Sequence, residues 1–286
     1  MSVSFRNLDC LGPHGFHRIA YAEWPGPADG VLTICVHGLT RNARDFDELA
    51  RRLSRRGTVL APDLAGRGRS AWLSDPADYN YPLYFADVAA LIGRSGAGKV
   101  DYVGTSLGGL VGMYLAGQKN TPIRRLVLND IGALVPKDAI ARIAAYTGKS
   151  PDFADLPEFE GYLRQLHAGM GRLTDAQWRH LAEHGHRVLP NGRLITHYDP
   201  AIAQTFASPD TEHDVVLWPF YDAIRVPTLV IRGLQSDTLL AETAEEMTRR
   251  GPRARLFEVP EAAHAPSLMD AGQIDAIERF LDADAP

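Results

Sequence analysis

A doubly wound α/β fold with a mostly parallel sheet is what this sequence predicts. Short apolar, β-rich runs alternate with helix-patterned segments along the chain. Several of those runs are apolar at nearly every position, as strands covered on both faces must be. One interval of roughly 95 residues is far too long for a simple crossover and implies an insertion.

The strand candidates are Val31–Val36, Thr58–Ala61, Val100–Gly104, Arg125–Leu128, Thr228–Arg232 and Arg255–Val259. Between them lie amphipathic helices. Phe46, Leu49, Ala50 and Leu53 follow the i, i+3, i+4, i+7 rule; Phe85, Val88, Leu91 and Ile92 form a second stripe, and Ile274, Ile277, Phe280 and Leu281 a third. Alternation of this kind builds a parallel sheet through right-handed crossovers. Ser4–Leu8 and His17–Trp24 precede the first buried run and read as an antiparallel edge hairpin.

The long interval runs from near Asn129 to near Thr228 and is helix-like. Thr174-Asp-Ala-Gln177 has the capping-box form, and Asp199-Pro200 reads as an N-cap followed by proline at the first helical position. The expected organisation is therefore a core of residues 1–132 and 220–286, with residues 133–219 forming an inserted, mostly helical cap over one end of the sheet.

Composition narrows the function classes. The 286 residues are 45% hydrophobic and 23% charged, which excludes a wholly disordered chain. The net charge of −5 argues against nucleic acid or an anionic membrane surface as partner, because both require a basic face. Cys10 and Cys35 form neither a disulfide framework nor a metal-ligand spacing, so no metal and no cofactor is expected. Without an apolar stretch of membrane-spanning length or a secretory leader, a cytoplasmic protein acting on a small molecule is the simplest expectation.

The chemistry centres on Gly104-Thr105-Ser106-Leu107-Gly108, preceded by the strand-like KVDYV and followed by the apolar helix LGGLVGMYLAG. A serine on a sharp strand-to-helix turn projects its hydroxyl into the open, and small residues at both flanks let strand and helix approach closely. The helix N-terminus then aims free N–H groups at any developing negative charge.

These residues resemble the α/β-hydrolase superfamily over nearly the whole chain, and four further segments fit in the same order. Val36-His37-Gly38-Leu39-Thr40 resembles the family's His-Gly loop, which implies oxyanion-hole N–H groups at Leu39 and Leu107. Ala61-Pro-Asp63-Leu-Ala-Gly66-Arg-Gly68-Arg-Ser70 resembles its glycine-rich turn, where Asp63 reads as turn chemistry. Gly233-Leu-Gln-Ser236-Asp237 stands where the family places the triad acid, and Val259-Pro-Glu-Ala-Ala-His264 resembles its histidine loop. The resemblance implies Ser106 as nucleophile, His264 as base and Asp237 as acid, in the chain order of this fold. Asp130 also ends a strand, where some members carry the acid; with Asp237 in that role, Asp130 becomes a supporting residue at the cap entrance.

Two activities fit. The first is hydrolysis of carboxylic esters or lactones of small to medium acyl groups through an acyl-enzyme on Ser106. The alternative is a C–C bond hydrolase of ring-cleavage products, which shares the triad and the helical cap. An amidase or peptidase, or a non-catalytic binding module, stands further off. His37 is expected to support the oxyanion loop. Arg41 is expected either to meet a substrate carboxylate or to anchor the loop in an ion pair. Tyr146, His167, Trp178, His184, His186, Trp218 and Tyr221 are the candidate pocket residues of the cap.

Overall fold

The structure, a computed structural model, describes residues 3–206 and 213–283. The hairpin β1 (Ser4–Gly12) and β2 (Gly15–Trp24) forms the antiparallel edge of an eight-stranded sheet. β3 (Leu32–Val36) leads through a short 3₁₀ turn into α1 (Asp47–Leu53), β4 (Val59–Pro62) and α2 (Tyr81–Ser95). β5 (Val100–Thr105) is buried at almost every position and feeds directly into α3 (Leu107–Ala116), which β6 (Ile123–Asn129) follows.

After β6 the chain leaves the sheet. The departing segment contains β7 (Leu134–Val135), α4 (Lys137–Tyr146), α5 (Leu156–Leu166), α6 (Asp175–Gly185), β8 (His186–Val188), β9 (Leu194–Thr196) and β10 (Val215–Val216). β10 pairs antiparallel with β7, so the way out and the way back lie side by side. α7 (Trp218–Ala223) and β11 (Thr228–Gly233) return the chain to the sheet, which α8 (Ala241–Met247), β12 (Arg255–Val259) and α9 (Ala271–Asp282) complete. The strand order is β1-β2-β4-β3-β5-β6-β11-β12, with every pairing from β4 onward parallel.

The helix stripes read from sequence face the core. Phe46, Leu49, Ala50 and Leu53 are buried with Ile277, Phe280 and Leu281 on one side of the sheet. Val88, Leu91 and Ile92 lie on the other with Val111 and Met113 of α3. The segment between β6 and β11 has a small core of its own, in which Phe153, Phe159, Leu163, Trp178 and Leu181 pack together. Thr174 and Gln177 close the expected capping box of α6. Pro200–Phe206 is a 3₁₀ helix, and Asp199 accepts from the N–H of Ala201 at its start. The β8–β9 hairpin is an addition to what the sequence indicated: three-residue strands give no periodicity to read. Both cysteines are free and buried, and no described helix is long and apolar enough to cross a membrane.

The end of the sheet away from Ser106 is held by charge. Asp101, fully buried near the start of β5, accepts from Arg56 (NH1, 2.9 Å) and Arg124 (Nε, 2.9 Å; NH2, 2.8 Å), while Arg56 also reaches Asp282 and the Leu281 carbonyl of α9. Removing the carboxylate leaves Arg124 without its ion-pair partner and Arg56 with Asp282 alone. Asp101→Ala is expected to lose about 3–5 kcal/mol of unfolding free energy, read from urea denaturation. A loss within about 0.5 kcal/mol, the range of ordinary surface substitutions, would show that this cluster does not brace the sheet.

Candidate active site

Ser106 stands between β5 and α3 with φ 51° and ψ −114°, a conformation that L-residues rarely adopt. The turn is possible because its flanks are glycines. A Cβ on Gly104 would overlap the Gly108 backbone, and one on Gly108 would overlap the Val36 carbonyl. The Ser106 N–H donates to the Asn129 carbonyl (2.9 Å), which ties the turn to the end of β6.

The hydroxyl of Ser106 lies 3.0 Å from Nε2 of His264, on the loop after β12. Nδ1 of His264 lies 2.8 Å from Oδ2 of Asp130, so with the proton on Nδ1 the ring donates to that carboxylate and Nε2 is free to accept from Ser106. Asp130 is fully buried and also accepts from the Gly233 N–H (2.9 Å) and the Ser236 hydroxyl (2.6 Å).

The acidic partner expected from sequence is therefore corrected. Asp237 does not face His264. It is 50% exposed and held in a two-pronged ion pair by Arg142 of α4, with Nε 2.5 Å and NH2 2.7 Å away. Partial burial would raise its pKa, but Arg142 outweighs this and holds it below the usual carboxylate value. The reason lies in the loop after β11. Gly233 and Ser236 point their donors inward at Asp130, and the next residue is carried outward. The carboxylate that meets His264 thus comes from the end of β6, and the β11 loop supplies two of its hydrogen bonds.

The Gly38–Leu39 loop approaches Ser106 closely at Gly38, where an added Cβ would sit 3.7 Å from the Ser106 Cβ. The N–H groups of Leu39 and Leu107 have no acceptor among the described residues. Two side chains position this loop. His37 donates from Nδ1 to the Gly38 carbonyl (2.6 Å) and accepts at Nε2 from the Leu64 N–H (3.0 Å), and burial pushes its pKa down to about 3. Arg67, buried over the Tyr84 ring, donates from Nε to the Leu39 carbonyl (2.8 Å). Asp63 sits below, accepting from the N–H groups of Ala43 and Arg69 (both 2.8 Å); burial raises its carboxyl to about 6. It organises the glycine-rich turn and does not enter the site.

These groups open into a cleft of about 70 Å³ lined by Leu39, Arg41, Ser106, Tyr146, His167 and His264, among others. Arg41 is engaged by Asp45 through two hydrogen bonds (2.8 and 2.7 Å), the anchoring arrangement of the two that its position allowed. His167 is pushed down to about 3 by burial, with Arg41 and His264 adding to the effect, so it faces the cleft as a neutral imidazole. Of the aromatic candidates, Tyr146 and His167 line the cleft. Trp178 and Trp218 do not. Trp178 is buried in the inserted segment's own core, and Trp218 packs against Tyr221 beneath Arg250.

Sequence reasoning passed over Asn129, Ser236 and Arg67. Asn129 donates to Thr105 Oγ1 (3.0 Å) and to the Pro266 carbonyl (2.8 Å), joining the Ser106 turn to the His264 loop. A buried amide at a strand end beside an acid was the available signal.

Comparison with known proteins agrees with this fold. A family model described as "Alpha/beta hydrolase family" matches residues 33–277. The chain is 43% identical over 281 residues, 96% of each sequence, to a 3-hydroxybutyrate-oligomer hydrolase of Cupriavidus necator. It is 29% identical over 258 residues, 89% of each, to a 2-(acetamidomethylene)succinate hydrolase of Mesorhizobium japonicum. It superposes on the crystal structure of an α/β hydrolase from Novosphingobium aromaticivorans with a TM-score of 0.88, at 34% identity and 99% coverage of both chains.

The two acids make opposite predictions. Asp130→Asn is expected to lower kcat for ester hydrolysis by about 10⁴-fold, the scale seen when the group fixing a catalytic imidazole is neutralised. Asp237→Asn should stay within about tenfold of wild type, since exposed ion pairs contribute little. The reverse order, measured on p-nitrophenyl acetate, would return the role to Asp237.

Proposed function

Because the chain belongs to the α/β-hydrolase family, we propose that it hydrolyses carboxylic esters through an acyl-enzyme on Ser106, acting on short oligoesters of a 3-hydroxy acid. The observation carrying the chemistry is the continuous contact Ser106–His264–Asp130 beside two unpaired backbone N–H groups.

In this reading His264 takes the Ser106 proton at Nε2 as Oγ attacks the ester carbonyl. Asp130 holds the ring's tautomer and stabilises the imidazolium. The carbonyl oxygen becomes an oxyanion between the N–H groups of Leu39 and Leu107, which need no reorganisation to receive it. Collapse expels the alcohol, protonated by His264. Water then repeats the sequence on the acyl-enzyme, releasing acid and restoring Ser106.

Substrate class rests on the 3-hydroxybutyrate-oligomer hydrolase, whose similarity runs the length of the chain. The cleft supports it: His167 is neutral and able to donate or accept, which suits the hydroxyl of a 3-hydroxyacyl group. The segment between β6 and β11 contributes Ile143, Tyr146, His167 and Met170 to the cleft and acts as a cap that shapes the acyl site and excludes water.

The test is a substrate panel: the 3-hydroxybutyrate dimer and trimer, p-nitrophenyl acetate and butyrate, and a coloured ring-cleavage product for C–C hydrolysis. The dimer and trimer should be split to 3-hydroxybutyrate and the ring-cleavage product left intact. Ser106→Ala should lower kcat by about 10⁴–10⁶-fold while remaining folded. Full turnover by that variant ends the acyl-enzyme reading. Preferred turnover of the ring-cleavage product moves the function to C–C bonds.

A further inference from the structure

α6 has two faces of different chemistry. Trp178, Leu181 and Ala182 pack into the inserted segment's core. Gln177, His180 and His184, spaced i, i+3 and i+7, form a polar stripe whose contacts reach the sheet-bearing part of the chain. Gln177 Nε2 donates to Glu48 (3.2 Å), His180 Nε2 to the Arg44 carbonyl (3.0 Å), and Asn42 donates to the His184 carbonyl (3.0 Å). This stripe joins the two parts through polar groups rather than apolar packing.

Within it, His180 and His184 stand one turn apart with ring centroids 4.6 Å from each other, and His180 Nε2 is 3.7 Å from Oδ2 of the buried Asp47 at the start of α1. One ligand atom from each of the three residues lies within 4.8 Å of the other two. The His184 ring makes no hydrogen bond among the described residues, so a nitrogen lone pair is uncommitted. A separate cleft of about 180 Å³ between the two parts, with His184, Asn42 and Arg44 on its wall, gives access from solvent.

We propose that Asp47, His180 and His184 bind a divalent transition-metal ion of the zinc type, which fastens α6 to the core. Two imidazoles and one carboxylate are the donor set of a three-ligand zinc site with a fourth position left for water. Calcium and magnesium, which require oxygen ligands throughout, are disfavoured. Ligand atoms around zinc at 2.0–2.2 Å stand roughly 3.4 Å apart, so closure requires shifts of about 1 Å, within reach of imidazole rotation. Binding at His180 Nε2 requires the neutral ring to carry its proton on Nδ1 instead, and ends its bond to the Arg44 carbonyl. Arg44 pairs with Asp47 through Nε to Oδ1 (2.7 Å) and NH2 to Oδ2 (2.6 Å); with Oδ2 on the metal, the Nε contact to Oδ1 is kept. A neighbouring guanidinium weakens the site and places it among exchangeable, regulatory metals rather than permanent ones. The site lies apart from the Ser106 cleft and does not depend on the proposed activity.

The experiment uses the full-length chain without a histidine tag, stripped with chelator and titrated with zinc chloride by calorimetry. Hydrogen exchange of residues 175–185 is followed in parallel. One equivalent should bind, and exchange in α6 should slow. His184→Ala, at a ring with no hydrogen bond to lose, should weaken binding by at least about tenfold and abolish the slowing, and Asp47→Asn should do likewise. His264→Ala should bind as wild type does. Unchanged affinity in His184→Ala overturns the proposal. So does binding that His264→Ala removes, which would place the ion at the Ser106 cleft, and so does exchange in α6 that zinc leaves unaltered.

Discussion

A buried carboxylate with no lysine or arginine in ion-pairing distance must find its partners among N–H and O–H donors, and Asp130 finds three. One comes from the Gly233 backbone, one from Ser236 and one from the His264 ring. The first two belong to the loop after β11 and the third to the loop after β12, so one side chain at the end of β6 gathers three strand ends. Leaving any of these donors unmet inside the protein costs about 1–3 kcal/mol, and the penalty grows for a charged acceptor. The geometry of His264 is thus fixed by the need to satisfy Asp130 as much as by any need of Ser106.

The neighbouring residue extends the same logic. Asn129 accepts the Ser106 N–H at its carbonyl and uses its amide to join Thr105 with the Pro266 carbonyl. Ser106 is held at positive φ, a conformation costing on the order of 1–3 kcal/mol, and is kept there by surrounding contacts. Asn129, the last residue of β6, and Asp130, the next, therefore hold both the strained serine turn and the histidine loop. On the other side, His37 and Arg67 pin the Gly38–Leu39 loop by its carbonyls, while the Leu39 N–H has no acceptor among the described residues. The site is preorganised by hydrogen bonds to backbone, and few of its supports are themselves ionic.

Most of the fold was legible because it depends on local periodicity. Continuous apolar runs marked the parallel strands, and the stripes ending at Leu53, Ile92 and Leu281 marked the helices. That Ser106 and His264 would meet was legible because turn chemistry and strand-end position are local too. The carboxylate that meets His264 was not, because Asp130 and Asp237 both follow a buried strand, and the choice depends on which of them a distant arginine claims. A signal did exist. Asp130 lies between the apolar LVLN and IGAL, where an exposed carboxylate has no place, while Asp237 sits among Gln235, Ser236 and Thr238. Trp178 teaches the same lesson: its spacing to Leu181 and Ala182 puts it on the apolar face of α6, turned from the cleft. Size suggested a pocket residue, and periodicity had the answer.

The most direct measurement of this account is a crystal structure of the chain after reaction with an organophosphonate ester, a mimic of the tetrahedral intermediate. The phosphorus should be bonded to Ser106 Oγ. Its charged oxygen should lie within hydrogen-bond distance of the Leu39 and Leu107 N–H groups, with His264 Nδ1 still donating to Asp130. A phosphonate bonded elsewhere, or a His264 ring turned toward Asp237, would contradict it.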